Sequence, residues 1–544
     1  MSSSSSKAFQ WLSLVGIIWL QSINGTNTTF PAYSSQLKST LFLSQLQINN
    51  LVFASDAGKL FGWFSGIAAI YLPLWLVLMI GSLLGLIGYG VQFLFVTNQI
   101  SSPSYWQIFL LTMVAGNSVC WINTVCYVVC IRNFPFHQQV AVGLTTSYQG
   151  LSAKIYTDIV SAAFSSSPHK RAKAYLLLNS LLPLLVCVVV APFVRDIDVR
   201  TGEPRNMAAG FKLMFVVTIA TGIYAVITSL GSLSFIHLSP LQIVIGTALF
   251  LLIPLVIPIV EKIGEKLSRR WSLDRVHDSS STDDQKGLES IESGVVKEEE
   301  EEEHSTVQVH NEVGEEQVHH GIGVREGIGV REEIGVKLMV KRIDFWLYFL
   351  VYIFSATIGL VFLNTLGQIA ESRGSCRTSS LVSLSSSFGF FGRLMTSLLD
   401  YFFSRSKYMI SRPAFLVTLA APIAGVFFLL LNPANVSLII STAIIGVCTG
   451  AITSIAVSIT TELFGTKNFS INHNVVVANI SIGSFLFGYS SALIYRKEGN
   501  EDGSCLGMAC YRSTFIIWGS FCTLGTTLAL VLYARTRKFY SKIS

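Results

Sequence analysis

The sequence predicts an all-α membrane protein: two groups of six transmembrane helices with two more between them. Three observations carry this. Of 544 residues, 51% are hydrophobic and only 13% charged, with mean hydropathy +0.56, whereas soluble domains carry about 25% charged residues. Stretches of about 20 mostly apolar residues, enough to span a bilayer, recur along the chain. The polarity of these stretches also repeats. Those at 75–97, 174–194, 413–431 and 512–535 hold almost no strongly polar residue. Grouped as 8–194 and 344–535, they are the third and sixth of each group and belong on the lipid side. This is the order a duplicated transporter-like fold would show.

Taken in order, the first span, 8–30, follows a single lysine. No small-residue cleavage site interrupts its apolar run, so it reads as a first helix rather than a cleaved signal. Spans 57–73 and 75–97 follow closely, then 106–131, 138–164 and 174–194. Spans 208–232 and 239–261 are apolar and expected to face lipid. After a polar interval come 344–368, 378–403, 413–431, 435–463, 471–495 and 512–535. The count is fourteen, or twelve if the weakest candidates (57–97 and 208–261) are merged or dropped. The spans at 8–30, 106–131, 138–164, 344–368, 378–403 and 435–463 carry polar or charged residues, which belong against a bundle interior or a wet cavity. The organisation is thus 1–194, a first bundle; 195–261, two additional helices; 262–342, a loop; and 343–544, a second bundle.

The loop separates the charges. Residues 271–342 hold 18 acidic and 8 basic side chains; the rest of the chain holds 14 and 30. Six consecutive glutamates (Glu298 to Glu303) and a tandem GIGVRE repeat from Gly321 cannot bury a core, so this stretch is expected to be disordered. Ser272, after two arginines and a tryptophan, and the hydroxyls at 279–282 offer phosphate-accepting positions. Excess Lys and Arg beside apolar spans marks cytoplasmic segments, here both termini and the 262–342 loop. The cluster Lys170-Arg171-Ala172-Lys173 runs against that rule. The basic excess has no interleaved aromatics and implies no nucleic-acid partner. The partners expected are the bilayer and a small-molecule or ion substrate, for a monomer without cofactor or metal.

Two stretches are more specific. Ser55 to Gln92 reads SDAGKLFGWFSGIAAIYLPLWLVLMIGSLLGLIGYGVQ; Gly116 to Thr157 contains GNSVCWINTVCYVVCIRNFP and VGLTTSYQGLSAKIYT. Both closely resemble plant nodulin-like proteins of the major facilitator superfamily, the group that includes the nuclear-fusion-defective type. The resemblance runs through about 8–260 and from about 340 to the end; the loop lies outside it. It implies two six-helix bundles of major-facilitator type around a central cavity. The function it implies is secondary transport of a small solute, an organic anion among the candidates, by alternating access. A non-transporting receptor or regulator of the same fold is the alternative.

The superfamily's motif between helices two and three of each half resembles FGRLMTSLLDYFFSRSK, with Gly392, Arg393, Asp400, Arg405 and Lys407; the matching N-terminal place, GIAAIYLPLW, carries no charge. The resemblance therefore implies a cytoplasmic gate in the second half only. Glu462, in TTELFG, or Asp400 is the candidate partner of Arg393 there, with Asp400 expected near the start of the span at 471.

Among cavity candidates, Lys154 and Asp158 are i,i+4 and share a helix face. Lys154 lies about 4.5 Å past the midpoint of its span. Alone, each charge would cost about 2.5–3.5 kcal/mol at the bilayer centre. The pair is either a bridge that locks helices or a substrate- or proton-coupling site. Tyr148 and Gln149 add hydrogen-bonding groups one to two turns earlier. Asn117 and Asn123 are either helix glue or cavity lining. Gln21 and Asn24 lie in the outer half of the first span; NGT at Asn24 matches a glycosylation triplet, but its closeness to the membrane favours a cavity wall. Asn364 and Gln368 hold similar positions in the second half. Cys505 and Cys510, with Cys376, fall in loops expected outside, where a disulfide is permitted: Cys505–Cys510, or Cys376 with one of them. No nucleophile–base pair, zinc spacing or phosphate loop appears, so no enzyme activity is expected.

Overall fold

The computed structural model describes residues 7–100, 104–164, 168–197, 207–231, 238–267, 333–374, 378–403, 412–499 and 505–541. Among these the chain is all helical. In the first half the helices are α1 (Lys7–Ile23), α2 (Ser34–Thr40), α3 (Gln45–Ala57), α4 (Gly62–Tyr71), α5 (Leu74–Val96), α6 (Tyr105–Asn133), α7 (Gln138–Ala163) and α8 (Pro168–Val190). Then come α9 (Ala208–Gly231) and α10 (Pro240–Leu267). The second half holds α11 (Ile343–Ser372), α12 (Thr378–Phe403), α13 (Arg412–Leu429), α14 (Asn435–Phe464), α15 (Phe469–Glu498) and α16 (Ala509–Ser541). Ten described helices are long and apolar enough to cross a membrane. The all-helical, many-span membrane architecture is the one that the composition and polarity order predict.

Helices α1 and α12 begin at opposite ends of the bundle. The end where α1 begins holds the Gln10 amide on the Asn133 carbonyl at 3.0 Å and the Tyr401 hydroxyl on the Ala208 carbonyl at 3.4 Å. The other end carries a disulfide, Cys505–Cys510. With both sulfurs taken, the alternative pairing of Cys376 with one of them is set aside. Cys376 itself, the glutamate run, the repeat, the serines at 272–281, Arg405 and Lys407 lie outside the described residues.

The polarity order translates into placement. Buried shares are 44% for α5, 33% for α8, 44% for α13 and 39% for α16, against 72% for α6 and 67% for α11 and α14. The four polar-poor spans are thus outer helices. Of the additional pair, α10 is outermost at 22% buried, but α9 is 50% buried. Helix α9 wedges against the second half, where the Ser229 hydroxyl meets that of Ser387 at 2.9 Å. Both helices keep an exposed apolar flank as expected, but α9 also packs against the second half: Gly222 lets its backbone approach Phe390 and Phe391.

Three boundaries also differ. The first span ends as α-helix at Ile23 and turns through a 3₁₀ segment, Thr26–Ala32. Helix α10 continues to Leu267, so the loop starts later than residue 262. The second span starts at Gln45, not 57: α3 passes through a 3₁₀ turn, Gly58–Phe61, directly into α4. Its first half carries Asn49, Asn50, Asp56 and Lys59, which a hydropathy reading excludes from a membrane. Two glycines make this possible. A Cβ on Gly116 would lie 1.8 Å from the Ser55 carbonyl oxygen, and one on Gly58 2.2 Å from that of Met113. Only bare backbone lets α3 and α6 cross this closely.

Candidate substrate cavity and its gates

The helices that carry polar residues meet between the halves. The cavity there is small, about 70 Å³, with Thr28, Gln149, Gly150 and Ala153 on one wall and Asn364, Ser386 and Arg393 on the other. Arg393, on α12, is partly buried. Its Nη1 donates to Gln149 Oε1 at 2.9 Å, and its buried Nε has no partner. The Gln149 amide continues to Asn123 Oδ1 at 3.3 Å, and Asn24 Nδ2 donates to the same oxygen at 2.9 Å. One chain of polar groups therefore links α12, α7, α6 and the turn that follows α1. Of the sequence candidates, Asn24, Asn123 and Gln149 come together here. Asn24 is only 1% exposed, so its triplet is no glycan acceptor in this fold.

Arg393 was expected at the gate, against Glu462 or Asp400; that is corrected. The cation beside Asp400 and Glu462 is Arg412, at the start of α13. It bridges Asp400 Oδ1 at 2.8 Å and Glu462, and it donates to the Gln139 side chain of α7. The Gln139 amide also donates to Glu462 Oε1 at 3.0 Å. The register explains the exchange: Asp400 and Glu462 lie near the ends of their helices, whereas Arg393 lies two turns deeper. Gly392 is not a gate residue either. Its missing Cβ would fall 2.0 Å from the Val447 carbonyl oxygen, so it serves the α12–α14 crossing.

The placement of Lys154 and Asp158 in the central cavity is also corrected. They form the predicted pair, Nζ to Oδ2 at 2.8 Å, but neither lines the central cavity. The Lys154 backbone N–H donates to Ser386 Oγ at 3.2 Å, and Asp158 lines a separate groove on the flank. Helical spacing places both charges on one face; it does not say which neighbour that face meets. The remaining candidates divide. Tyr148 packs edge-on to Phe390 with its hydroxyl 3.1 Å from that of Thr218, away from the cavity. Gln368 accepts from the Tyr511 hydroxyl at 3.4 Å, inside the second half. Gln21 is fully buried, and both its amide atoms lack partners, as does Asn117 Oδ1. Asn364 is a cavity residue.

Asn364 leads to residues the sequence reading missed. Its amide donates to Asp56 Oδ2 at 3.3 Å, and Asp56 Oδ1 holds Lys59 Nζ at 2.6 Å. The side chains are 1% and 9% exposed. Their signal was available: an acid and a base three apart share a helix face. The second-half Ser481 hydroxyl also donates to the Asp56 carbonyl at 2.5 Å, and the rings of Phe53 and Phe485 pack with centroids 5.1 Å apart.

Contacts between halves therefore close both ends. Toward the chain termini lie the Arg412 cluster, Ser397 Oγ on the Val140 carbonyl at 2.9 Å, and Ser470 Oγ on that of Gly66 at 3.1 Å. Toward the disulfide lie Asp56 with Asn364 and Ser481, and the Ser35 hydroxyl on Glu371. The cavity is small against the roughly 300–1,000 Å³ of small-molecule sites. This is an occluded arrangement.

Comparison with known proteins agrees with this architecture. Residues 10–259 match the Nodulin-like family, and residues 327–542 match the C-terminal domain of NFD4. The chain is 37% identical over 551 residues to Protein NUCLEAR FUSION DEFECTIVE 4 of Arabidopsis thaliana, covering 98% of this chain and 90% of that one. It is 26% identical over 144 residues, 24% of each chain, to Probable transporter mch1 of Neurospora crassa. Among solved structures, the proton:xylose symporter XylE aligns with TM-score 0.52 at 10% identity, over 97% of this chain and 95% of that one. The peptide transporter POT aligns with TM-score 0.51 at 11% identity, over 98% and 95%. These likenesses fix a transporter fold, and with the near-full-length relative they establish that the chain belongs to the plant nodulin-like, NFD4-type family of multi-pass membrane proteins.

Proposed function

We propose that the chain is a secondary transporter of a small anionic solute, working by alternating access, with Arg393 as the cation that receives it. One observation carries the anion assignment: Arg393 stands on the cavity wall, bonded to a neutral amide, with no carboxylate partner among the described residues. An unpaired charge within a membrane bundle is costly and is retained where function uses it. Gln149, Asn123 and Asn24 orient the guanidinium from the other half, so solute bound at Arg393 touches both halves. The two sets of contacts between halves support two gates, released in turn. The chain passes the bilayer fourteen times, with both termini and the acidic interval on the cytoplasmic side, a reading supported by the excess of Lys and Arg there.

Uptake by lipid vesicles reconstituted with the purified chain tests this, over inorganic anions, carboxylates, amino acids and sugars. Saturable uptake of an anion, abolished in Arg393→Gln, is the expected result. Uptake of a neutral solute that Arg393→Gln leaves intact overturns the anion assignment. Solute binding without uptake favours a receptor of the same fold.

A further inference from the structure

The transport reading gives the Lys154–Asp158 pair no task. Asp158 faces a groove of about 420 Å³ between α1, α7, α8 and α10, within the size of small-molecule sites. Apart from Asp158, its wall is apolar except for Ser22 and Thr247. Both those hydroxyls donate to their own helices, to the carbonyls of Ile18 at 2.7 Å and Ile243 at 2.9 Å. The Trp19 indole N–H is likewise held by the Leu251 carbonyl at 2.8 Å, tying α1 to α10. The groove is an apolar slot with a carboxylate acceptor at one end.

Orientation and charge narrow the occupant. Asp158 stands five residues before the end of α7, about 7.5 Å, at the disulfide end of the groove. The directions of α1, α8 and α10 place Trp19, Val189 and Leu252 at its other end. Leu185, Val189 and Leu252 are 61%, 56% and 51% exposed on the helix flanks, so the slot opens sideways to lipid. A molecule held here has its polar group toward the disulfide-side interface and its apolar body toward the bilayer middle, as a lipid of that leaflet does. Lys154 neutralises Asp158, so the site attracts no net charge. It asks for a neutral donor. A phospholipid would bring an anionic phosphate against a carboxylate; a sterol brings one hydroxyl and a rigid apolar body. We propose that this groove is a sterol site, with the sterol hydroxyl donating to Asp158. The site exists because α10 supplies its fourth wall.

The test uses the purified full chain in phosphatidylcholine nanodiscs with a photoreactive sterol, and mapping of the labelled peptides by mass spectrometry. Saturable labelling within 155–159 and 244–252 is expected. Unlabelled sterol displaces it, and the corresponding ketone, which lacks the donor, competes about tenfold or more less well, the loss of one hydrogen bond to a charged group. Ala248→Phe, which fills the slot, abolishes labelling. The neutral double variant Lys154→Met with Asp158→Leu weakens it by a similar factor while leaving thermal unfolding of the sterol-free chain near its original midpoint. Labelling spread evenly over the lipid-facing surface overturns the proposal. So does equal competition by the ketone, or a phospholipid probe that saturates the same peptides more tightly. Competition on the unaltered chain decides the matter even if the variants fold poorly, and none of these readouts depends on solute uptake.

Discussion

At Asp56 a carboxylate only 1% exposed meets Lys59 Nζ at 2.6 Å and the Asn364 amide at 3.3 Å. Buried charges tolerate truncation of one partner badly, because the other is left uncompensated. Asp56→Asn should therefore destabilise the detergent-solubilised protein by about 3–5 kcal/mol, whereas Asp56→Asn combined with Lys59→Met should recover most of that. Thermal unfolding of the single and double variants checks the coupling; additive effects would show that the two residues do not interact. This residue and Arg393 show what a single chain reveals. Charges in apolar sequence are visible, and pairing at three or four residues is visible. Which helix opposes them is not. Lys154 and Arg393 both leave their expected places for that reason: each is a deep cation, and only tertiary packing sets one beside a flank groove and the other on the cavity wall.

Helices in this bundle were legible where a span is apolar enough overall, including α6, α7 and α12 that carry the cavity groups, and obscured where polar residues crowd one stretch. Spans α5, α7, α12 and α13 match their expected ranges within two residues. Helix α3 was lost up to residue 57 because its polar residues, which build the interface between halves, count against membrane insertion. Hydropathy is therefore weakest where polar residues cluster within one span. What makes α3 fit is the crossing with α6 at Gly58 and Gly116. Replacing Gly116 by alanine puts a methyl 1.8 Å from the Ser55 carbonyl oxygen, forcing α3 away from α6 and shifting Asp56 against Asn364. A loss of about 1–3 kcal/mol is expected, the usual range for overpacking, with a lower thermal midpoint and slower uptake. Gly264, on α10, has nothing within 4 Å of its would-be Cβ, and Gly264→Ala is the matched control that should change neither. Equal behaviour of the two variants would remove the close crossing as the reason for glycine at 116.

Over the whole molecule, the proposed alternating-access cycle sets the two closed ends in competition. Alternating access requires that one set of contacts between halves be given up while the other is kept, so weakening one end shifts the balance toward opening there. Arg412 concentrates the contacts at the termini end: it neutralises Asp400 and Glu462 together and reaches Gln139 across the halves. Arg412→Gln leaves two carboxylates near each other without their cation, and their repulsion adds to the lost contact with Gln139. The disulfide end keeps Asp56, Asn364, Ser481, Ser35 and Glu371 intact. Two cysteine pairs report on the two ends: Val140→Cys with Ser397→Cys near the termini, and Ser35→Cys with Glu371→Cys near the disulfide. In the Arg412→Gln background the first pair should cross-link about 5–150-fold less readily, the span of a coupling of about 1–3 kcal/mol, and the second at least as readily as before. Gln139→Leu removes the same link between halves without exposing charge and should shift both pairs in the same direction by less. Were both pairs to loosen together, the ends would not alternate, and Arg412 would be a brace of the whole bundle rather than the latch of one gate.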